Sequence, residues 1–269
     1  MDRRQIWGYV RRVWITLGLG ATFVFVVWSL IAYRASGEAQ RAIQSDSAVS
    51  VRHVDGIWSF IPRGSSLTAN PALLFFPGAL VSPVAYAPLV RAAATAGYPA
   101  YLLELPRRGA FGGAEDPLLA QRFERLLAQP DTPRRWVIAG HSRGAVVATQ
   151  FAAAQHAGFS GLVLIGTTHP RDVDLSSLSA PVTKVVGTRD GVARPAAVEA
   201  NRAKLPSATQ WIWVEGGNHS QFGWYGFQPG DRRPRVPAAV QRSTMIRAVL
   251  NALAQVAAAP SAHQGARRQ

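Results

Sequence analysis

Gly140-His141-Ser142-Arg143-Gly144 stands between an apolar run, Trp136-Val137-Ile138-Ala139, and a helix-forming run from Ala145 to His156. Few five-residue segments restrict a fold so tightly. A chain that passes from a buried strand into a helix across one residue must hold that residue in a strained backbone conformation, and glycines two positions to either side remove side chains that would collide. The serine hydroxyl is then raised at a helix N-terminus, where backbone N–H groups are free to meet a developing negative charge. The pentapeptide alone is common by chance. Its flanking strand and helix give it meaning, and partners further along the chain must complete it.

A serine hydroxyl becomes a nucleophile when a base takes its proton, and behind a strand-to-helix serine of this kind the acid and then the histidine follow in chain order. The chain has six histidines. His156 and His169 stand too close behind Ser142 to leave room for an acid, and His263 falls in the polar tail Ser261 to Gln269. His219 remains, in Glu215-Gly216-Gly217-Asn218-His219 just after the strand-like run Gln210 to Val214. For the acid, Asp190 follows the apolar run Val182 to Val186 in Gly187-Thr188-Arg189-Asp190-Gly191, while the rivals Asp172 and Asp174 share a polar loop with serines after the preceding strand. The expected triad is therefore Ser142, Asp190 and His219, with the acid fixing the imidazole tautomer and offsetting its positive charge.

An oxyanion needs two backbone donors, and the residue after the nucleophile, Arg143, supplies one. The second is expected from the loop behind Leu73-Leu74-Phe75-Phe76, where Pro77-Gly78-Ala79-Leu80 offers a glycine for close backbone approach. Ala79 is the expected donor and Leu80 the alternative. Leu80, His141, Phe222 and Trp224 are candidate substrate contacts. Aromatic side chains beside a site serve packing just as often, and a local hydrogen-bonding role is equally open to His141.

Four blocks in order resemble a known family: LFFPGALVSPVAYAP from Leu74 to Pro88, WVIAGHSRG from Trp136 to Gly144, VVGTRDGVA from Val185 to Ala193 and EGGNHSQFGWYG from Glu215 to Gly226. They look like a bacterial group of alpha/beta hydrolases similar to the dienelactone hydrolase (carboxymethylenebutenolidase) branch. The likeness spans roughly residues 48 to 255, and four blocks in sequence are far more specific than any one. It implies the same triad, and an acyl-enzyme route through such a triad requires no cofactor. One departure is plain: where such proteins usually read Leu-Gly-Gly after the serine, this chain has Arg143-Gly144-Ala145. Dienelactone hydrolases proper use a cysteine nucleophile; this chain has no cysteine, so their particular reaction does not carry over.

The rest of the chain predicts an α/β fold, a mostly parallel sheet with helices on both faces. Val49 to Val54 and Ile57 to Ile61 alternate around Asp55-Gly56, a hairpin signal. Strand-like runs follow at 72–76, 98–103, 135–139, 162–165, 182–186 and 210–214, with helical runs at 83–96, 117–128, 145–156, 195–204 and 236–257. Gly166 to Pro181 is too short for a large cap domain, which predicts an open site.

Val13 to Tyr33 carries no charge over 21 residues, and at about 1.5 Å per residue it is long enough to cross a bilayer. Arg3, Arg4, Arg11 and Arg12 precede it, which by the positive-inside rule leaves the N-terminus in the cytoplasm and the remainder outside, on the cytoplasmic membrane. A cleaved signal peptide would have a shorter apolar stretch and a small-x-small site, and Ala32-Tyr33-Arg34-Ala35-Ser36 fits that poorly. The expected organisation is a basic tail over 1–12, a membrane anchor over 13–33, a linker over 34–47, a catalytic domain over 48–258 and a disordered tail over 259–269. The net charge of +14 rests on 29 basic residues of which only Lys184 and Lys204 are lysines, scattered without an aromatic-interleaved stripe. That predicts a solvated basic surface and no nucleic-acid partner. Metal-ligand spacings are lacking, and the expected partners are a small acyl substrate and the membrane.

Overall fold

A computed structural model describes residues 2–259 except 65, 130, 155 and 157; the tail 260–269, with His263, lies outside the described residues. Eight strands form one sheet in the order β1-β2-β4-β3-β5-β6-β7-β8. β1 (Val49–Val54) and β2 (Ile57–Pro62) make the expected hairpin, with Asp55 and Gly56 at φ 51 and 77° in its turn. β2 runs antiparallel to β4 (Ala100–Leu103), and from there β3 (Ala72–Phe76), β5 (Trp136–His141), β6 (Phe159–Ile165), β7 (Val182–Gly187) and β8 (Gln210–Val214) are parallel.

Because successive strand residues point to opposite faces, the all-apolar central strands must bury both sides. Leu73, Phe75, Val137, Val163 and Val185 pack under α3 (Ala87–Thr95) and α7 (Ala238–Ala258), against Val90, Met245, Val249 and Leu253. Leu74, Phe76, Ile138, Leu162 and Leu164 pack under α4 (Pro117–Leu127) and α5 (Arg143–Ala153), against Leu119, Phe123, Val147 and Phe151. Truncating a side chain such as Leu74 to alanine in such a core costs about 2–5 kcal/mol. Between β6 and β7 the described residues form turns without a helix, in keeping with the short spacing.

The N-terminal helix α1 (Arg3–Ala32) is long and apolar enough to cross a membrane, and nearly all of it is exposed. The segment behind it differs from the expected linker. It holds a short helix, α2 (Gly37–Arg41), capped by the Ser36 hydroxyl, and Ala39 and Ala42 sit in the core beside α3. Small alanine side chains let this backbone pack closely, so an alanine-rich composition here reflects a fitted surface instead of a free tether. Ala32 O accepts from Gly226 N at 2.7 Å, and Tyr33 O accepts from Ser82 N at 2.9 Å. The helix that begins as a candidate span therefore ends inside the hydrogen-bond network of the domain.

Candidate active site

Ser142 is the single residue between β5 and α5, and its φ of 53° and ψ of −117° lie where a non-glycine residue is strained. What holds it there is visible in its neighbours. A Cβ on Gly140 would lie 2.3 Å from the Gly144 carbonyl carbon, and one on Gly144 would lie 2.0 Å from Phe76 O. Both glycines are thus required by backbone crowding, while Ser142 N donates to Ile165 O at 3.0 Å and ties the turn to β6. Ser142 itself is partly exposed.

Asp190 and His219 are brought together from loops that follow β7 and β8. His219 Nδ1 lies 2.8 Å from Asp190 Oδ2, both side chains being buried. The other carboxylate oxygen, Oδ1, accepts from Val192 N at 2.8 Å and Ala193 N at 2.6 Å, which sets the orientation of the acid. The Ser142 hydroxyl makes no direct hydrogen bond to His219. The rival acids are placed elsewhere: Asp172 is exposed, 3.7 Å from His169 Nε2, and Asp174 accepts from Ser176 N at its own turn.

Asp231 was not legible as part of this site. Its Oδ1 accepts from His219 N at 3.2 Å and Gly191 N at 3.1 Å, and its Oδ2 accepts from Ser220 N at 2.8 Å and Ser220 Oγ at 2.7 Å. One carboxylate thereby joins the acid loop to the histidine loop. In sequence it is an ordinary residue of a Gly-Asp-Arg-Arg turn, and only the folding back of 228–235 brings it to both loops. Gln241 of α7 adds a second brace, donating Nε2 to Asn218 O and accepting from Asn218 N.

The loop behind β3 is organised by Tyr86. Its hydroxyl accepts from Gly78 N at 3.1 Å and lies 2.7 Å from His141 Nδ1. Because Gly78 N–H is itself a donor and cannot accept, the single phenol proton goes to His141 Nδ1, which assigns the His141 proton to Nε2. Burial, and then the neighbouring His219, holds His141 neutral by pushing its pKa well below the usual value. Its ring centroid is 4.5 Å from that of His219. His141 is fully buried among Tyr86, His219 and Phe222, a supporting position and not the exposed one a substrate contact needs.

Of the N–H groups from Gly78 to Leu80, Gly78 is committed to Tyr86, and Leu80 donates to Arg108 O at 2.7 Å with Leu80 at φ 64°. Ala79 N–H, partly exposed, has no acceptor among the described residues, and neither has that of Arg143. Leu80 projects its side chain into solvent, 45% exposed. The half-buried Arg143 stem packs on the loop after β4, its Cγ 3.3 Å from where a Gly109 Cβ would stand. Phe222 and Trp224 are not at the mouth: both are buried in the α3/α7 core, with Arg242 stacked over Trp224 at 4.9 Å. Aromatic bulk behind a histidine loop anchors that loop in apolar surroundings, which is why these two positions read from sequence as a pocket wall.

Two further bases, the buried Lys184 and the half-buried His169, meet on the α4/α5 side. Lys184 of β7 is buried and donates to His169 O, and burial pulls its pKa down to about 7. His169 is pulled to about 4, by burial first and then by Arg171, Lys184 and Arg143. A surface cleft of about 750 Å³, lined by Glu38, Arg41, Pro88 and Arg91 among others, contains none of these residues. No cluster of metal-ligating side chains occurs among the described residues.

A sheet of this order, with a strained serine at the end of β5 and an acid–histidine pair behind β7 and β8, is the architecture of the alpha/beta hydrolases. The sequence model of that family, described as Alpha/beta hydrolase family, matches residues 72–243, and the chain belongs to it. No curated protein matches. Among solved structures, the chain is similar to a dienelactone hydrolase-like promiscuous phosphotriesterase from metagenomic libraries, at 18% identity and a TM-score of 0.55 over 77% of this chain and 99% of that one. Dienelactone hydrolase from Anabaena variabilis gives the same identity, score and coverage. Thermogutta terrifontis esterase 2, solved phosphoramylated by tabun, is 16% identical with a TM-score of 0.53 over 81% of this chain and 98% of that one. At these identities the likeness is one of fold.

Proposed function

We propose that the protein is a membrane-anchored serine hydrolase that cleaves carboxylic esters or related acyl compounds through an acyl-enzyme, using Ser142, Asp190 and His219. The observation that carries this reading is the buried 2.8 Å pair of Asp190 and His219 at the sheet edge where Ser142 is strained. A non-catalytic scaffold has no need to maintain either. His219, its Nδ1–H held by Asp190, takes the serine proton at Nε2 as Oγ attacks the carbonyl carbon; the serine–histidine contact tightens when substrate is seated. The carbonyl oxygen becomes an oxyanion that the free N–H groups of Ala79 and Arg143 stabilise. Collapse expels the alcohol, protonated by His219, and a water activated by the same histidine releases the acid and regenerates Ser142.

The uncharged run from Val13 to Tyr33 is read as an uncleaved anchor in the cytoplasmic membrane, with the catalytic domain outside. The Arg143 side chain, next to the nucleophile in the chain, is read as favouring acyl compounds with a distal anionic group.

Labelling with a fluorophosphonate, followed by turnover of short and long acyl esters, tests the assignment. Wild type should be labelled on Ser142, and Ser142→Ala should lose labelling and lower turnover by up to about a millionfold while staying folded. A folded Ser142→Ala protein with wild-type turnover overturns the reading.

A further inference from the structure

The site and the end of α1 share one edge of the sheet. In the parallel part, Leu80, Ser142, Asp190 and His219 all follow the C-terminal ends of strands. The end of α1 and the residues just after it dock at that same edge: Ala32 O on Gly226 N, Tyr33 O on Ser82 N, and Ser36 N on Trp224 O. An aromatic series then leads inward, Tyr33 to Tyr225 at 6.4 Å, Tyr225 to Tyr86 at 6.5 Å, Tyr86 to His141 at 5.8 Å and His141 to His219 at 4.5 Å. These contacts leave little freedom between helix and domain. A bilayer crossed by α1 therefore has its surface beside this edge.

Exposed apolar side chains are distributed the same way. Outside α1, every exposed large apolar residue but Trp213 among the described residues belongs to this edge, on loops, hairpin tip or helix starts; Leu80, Phe111, Val192 and Phe227 lie on the loops behind β3, β4, β7 and β8, and Val54 stands at the hairpin tip. Among the described residues, the loops at the opposite edge expose none. Scattered exposed hydrophobics need no explanation, but their concentration on one rim does. The same loops expose Arg107, Arg108, Arg171, Arg194, Arg232 and Arg233 against Glu115, Asp172, Asp174 and Glu215. Apolar tips among arginines are the composition of a surface that enters the headgroup layer of a membrane.

We propose that this edge rests on the lipid surface of the membrane that holds α1, so that the site takes acyl substrates from the lipid phase. The inference rests on the anchor and hydrolase readings above, and it goes beyond them in fixing which face meets lipid. A domain on a free tether would sample all orientations and would carry no apolar rim. Here the rim and the docked helix point the same way.

The lack of cysteine permits a direct test with the full-length protein in vesicles of phosphatidylcholine and phosphatidylglycerol. Single substitutions Phe111→Cys and Phe227→Cys, and Ser207→Cys in the loop before β8 at the opposite edge, are each labelled with an environment-sensitive fluorophore. The first two should show blue-shifted emission that lipids spin-labelled near the headgroup quench; the third should show neither. Separately, wild type should hydrolyse a long-chain ester dissolved in the bilayer faster when reconstituted than when held in detergent at equal concentration. Unquenched front probes on protein that stays in the vesicles through carbonate washing overturn the proposal alone, as does equal quenching at position 207 or the absence of any gain on the bilayer ester. Loss of the protein from vesicles overturns the anchor reading and this one with it. Fluorophosphonate labelling of the same samples reports the hydrolase reading independently.

Discussion

The Tyr86 hydroxyl bridges Gly78 N and His141 Nδ1, at 3.1 and 2.7 Å, and so couples the loop behind β3 to the residue next to Ser142. Tyr86 and His141 are 55 positions apart in the chain, and this one phenol sets the spacing of the two segments that would hold an oxyanion. Preorganised donors contribute to rate because they need no rearrangement as charge develops. A loosened loop would forfeit that.

Tyr86→Phe keeps the ring packing and removes the bridge. It leaves Gly78 N–H and His141 Nδ1 buried without partners, which should destabilise the fold by about 1–3 kcal/mol. Ester kcat should fall by roughly tenfold, about 1.4 kcal/mol of activation energy, with KM nearly unchanged. Urea unfolding and steady-state kinetics measure the two, and an unaltered kcat would remove the positioning role.

The proposed acid is tested by its tautomer function. Asp190→Asn should lower kcat by about ten-thousandfold, since the amide presents a donor to Nδ1 and favours the wrong tautomer. Asp174→Asn, whose carboxylate only accepts from Ser176 N in an exposed turn, should leave kcat near wild type. The reverse ranking would assign the acid to the loop after β6.

Asp231 predicts a combined loss. Asp231→Ala frees the N–H groups of Gly191, His219 and Ser220 together with the Ser220 hydroxyl, and several unmet partners should cost about 2 kcal/mol or more. Because acid and histidine loops lose their common acceptor, kcat should fall while the fluorophosphonate still labels the protein slowly. Stability loss with a normal rate of labelling would restrict Asp231 to the fold.

Lys184 makes stability depend on pH in a stated direction. Its pKa is about 7 in the folded chain and about 10.4 when unfolded. Between these values the unfolded state binds more protons, so stability rises with pH through that window and the full cost of the buried ammonium is present below about 7. Lys184→Met should flatten this rise. It should also raise Tm at neutral pH, against a smaller penalty for leaving His169 O without its donor. His141 acts on the acid side: with a folded pKa well below normal, its contribution is intact above about 6.5 and declines as pH falls beneath it. Thermal melts across pH, wild type against variant, read both.

Much of the fold was legible because its signals are local. Alternation around Asp55-Gly56 gives the hairpin, unbroken apolar runs give strands buried on both faces, and Gly140 and Gly144 flank a turn that admits no Cβ at either position. Chain order narrowed the acid to Asp190 and the base to His219, and the two are hydrogen-bonded in the fold. Tertiary structure decided what depends on distant segments meeting. Residues 34–47 read as a tether because alanine and polar residues are locally uncommitted, yet Ala39 and Ala42 fill a surface made by α3. Phe222 and Trp224 read as pocket wall because sequence shows bulk without direction, and the fold turns both into the core. Asp231 and Tyr86 carry no local signal at all. Their roles arise only where loops from β3, β5, β7 and β8 converge, since a hydrogen bond between segments is decided by the folded path of the chain and not by the residues on either side of it.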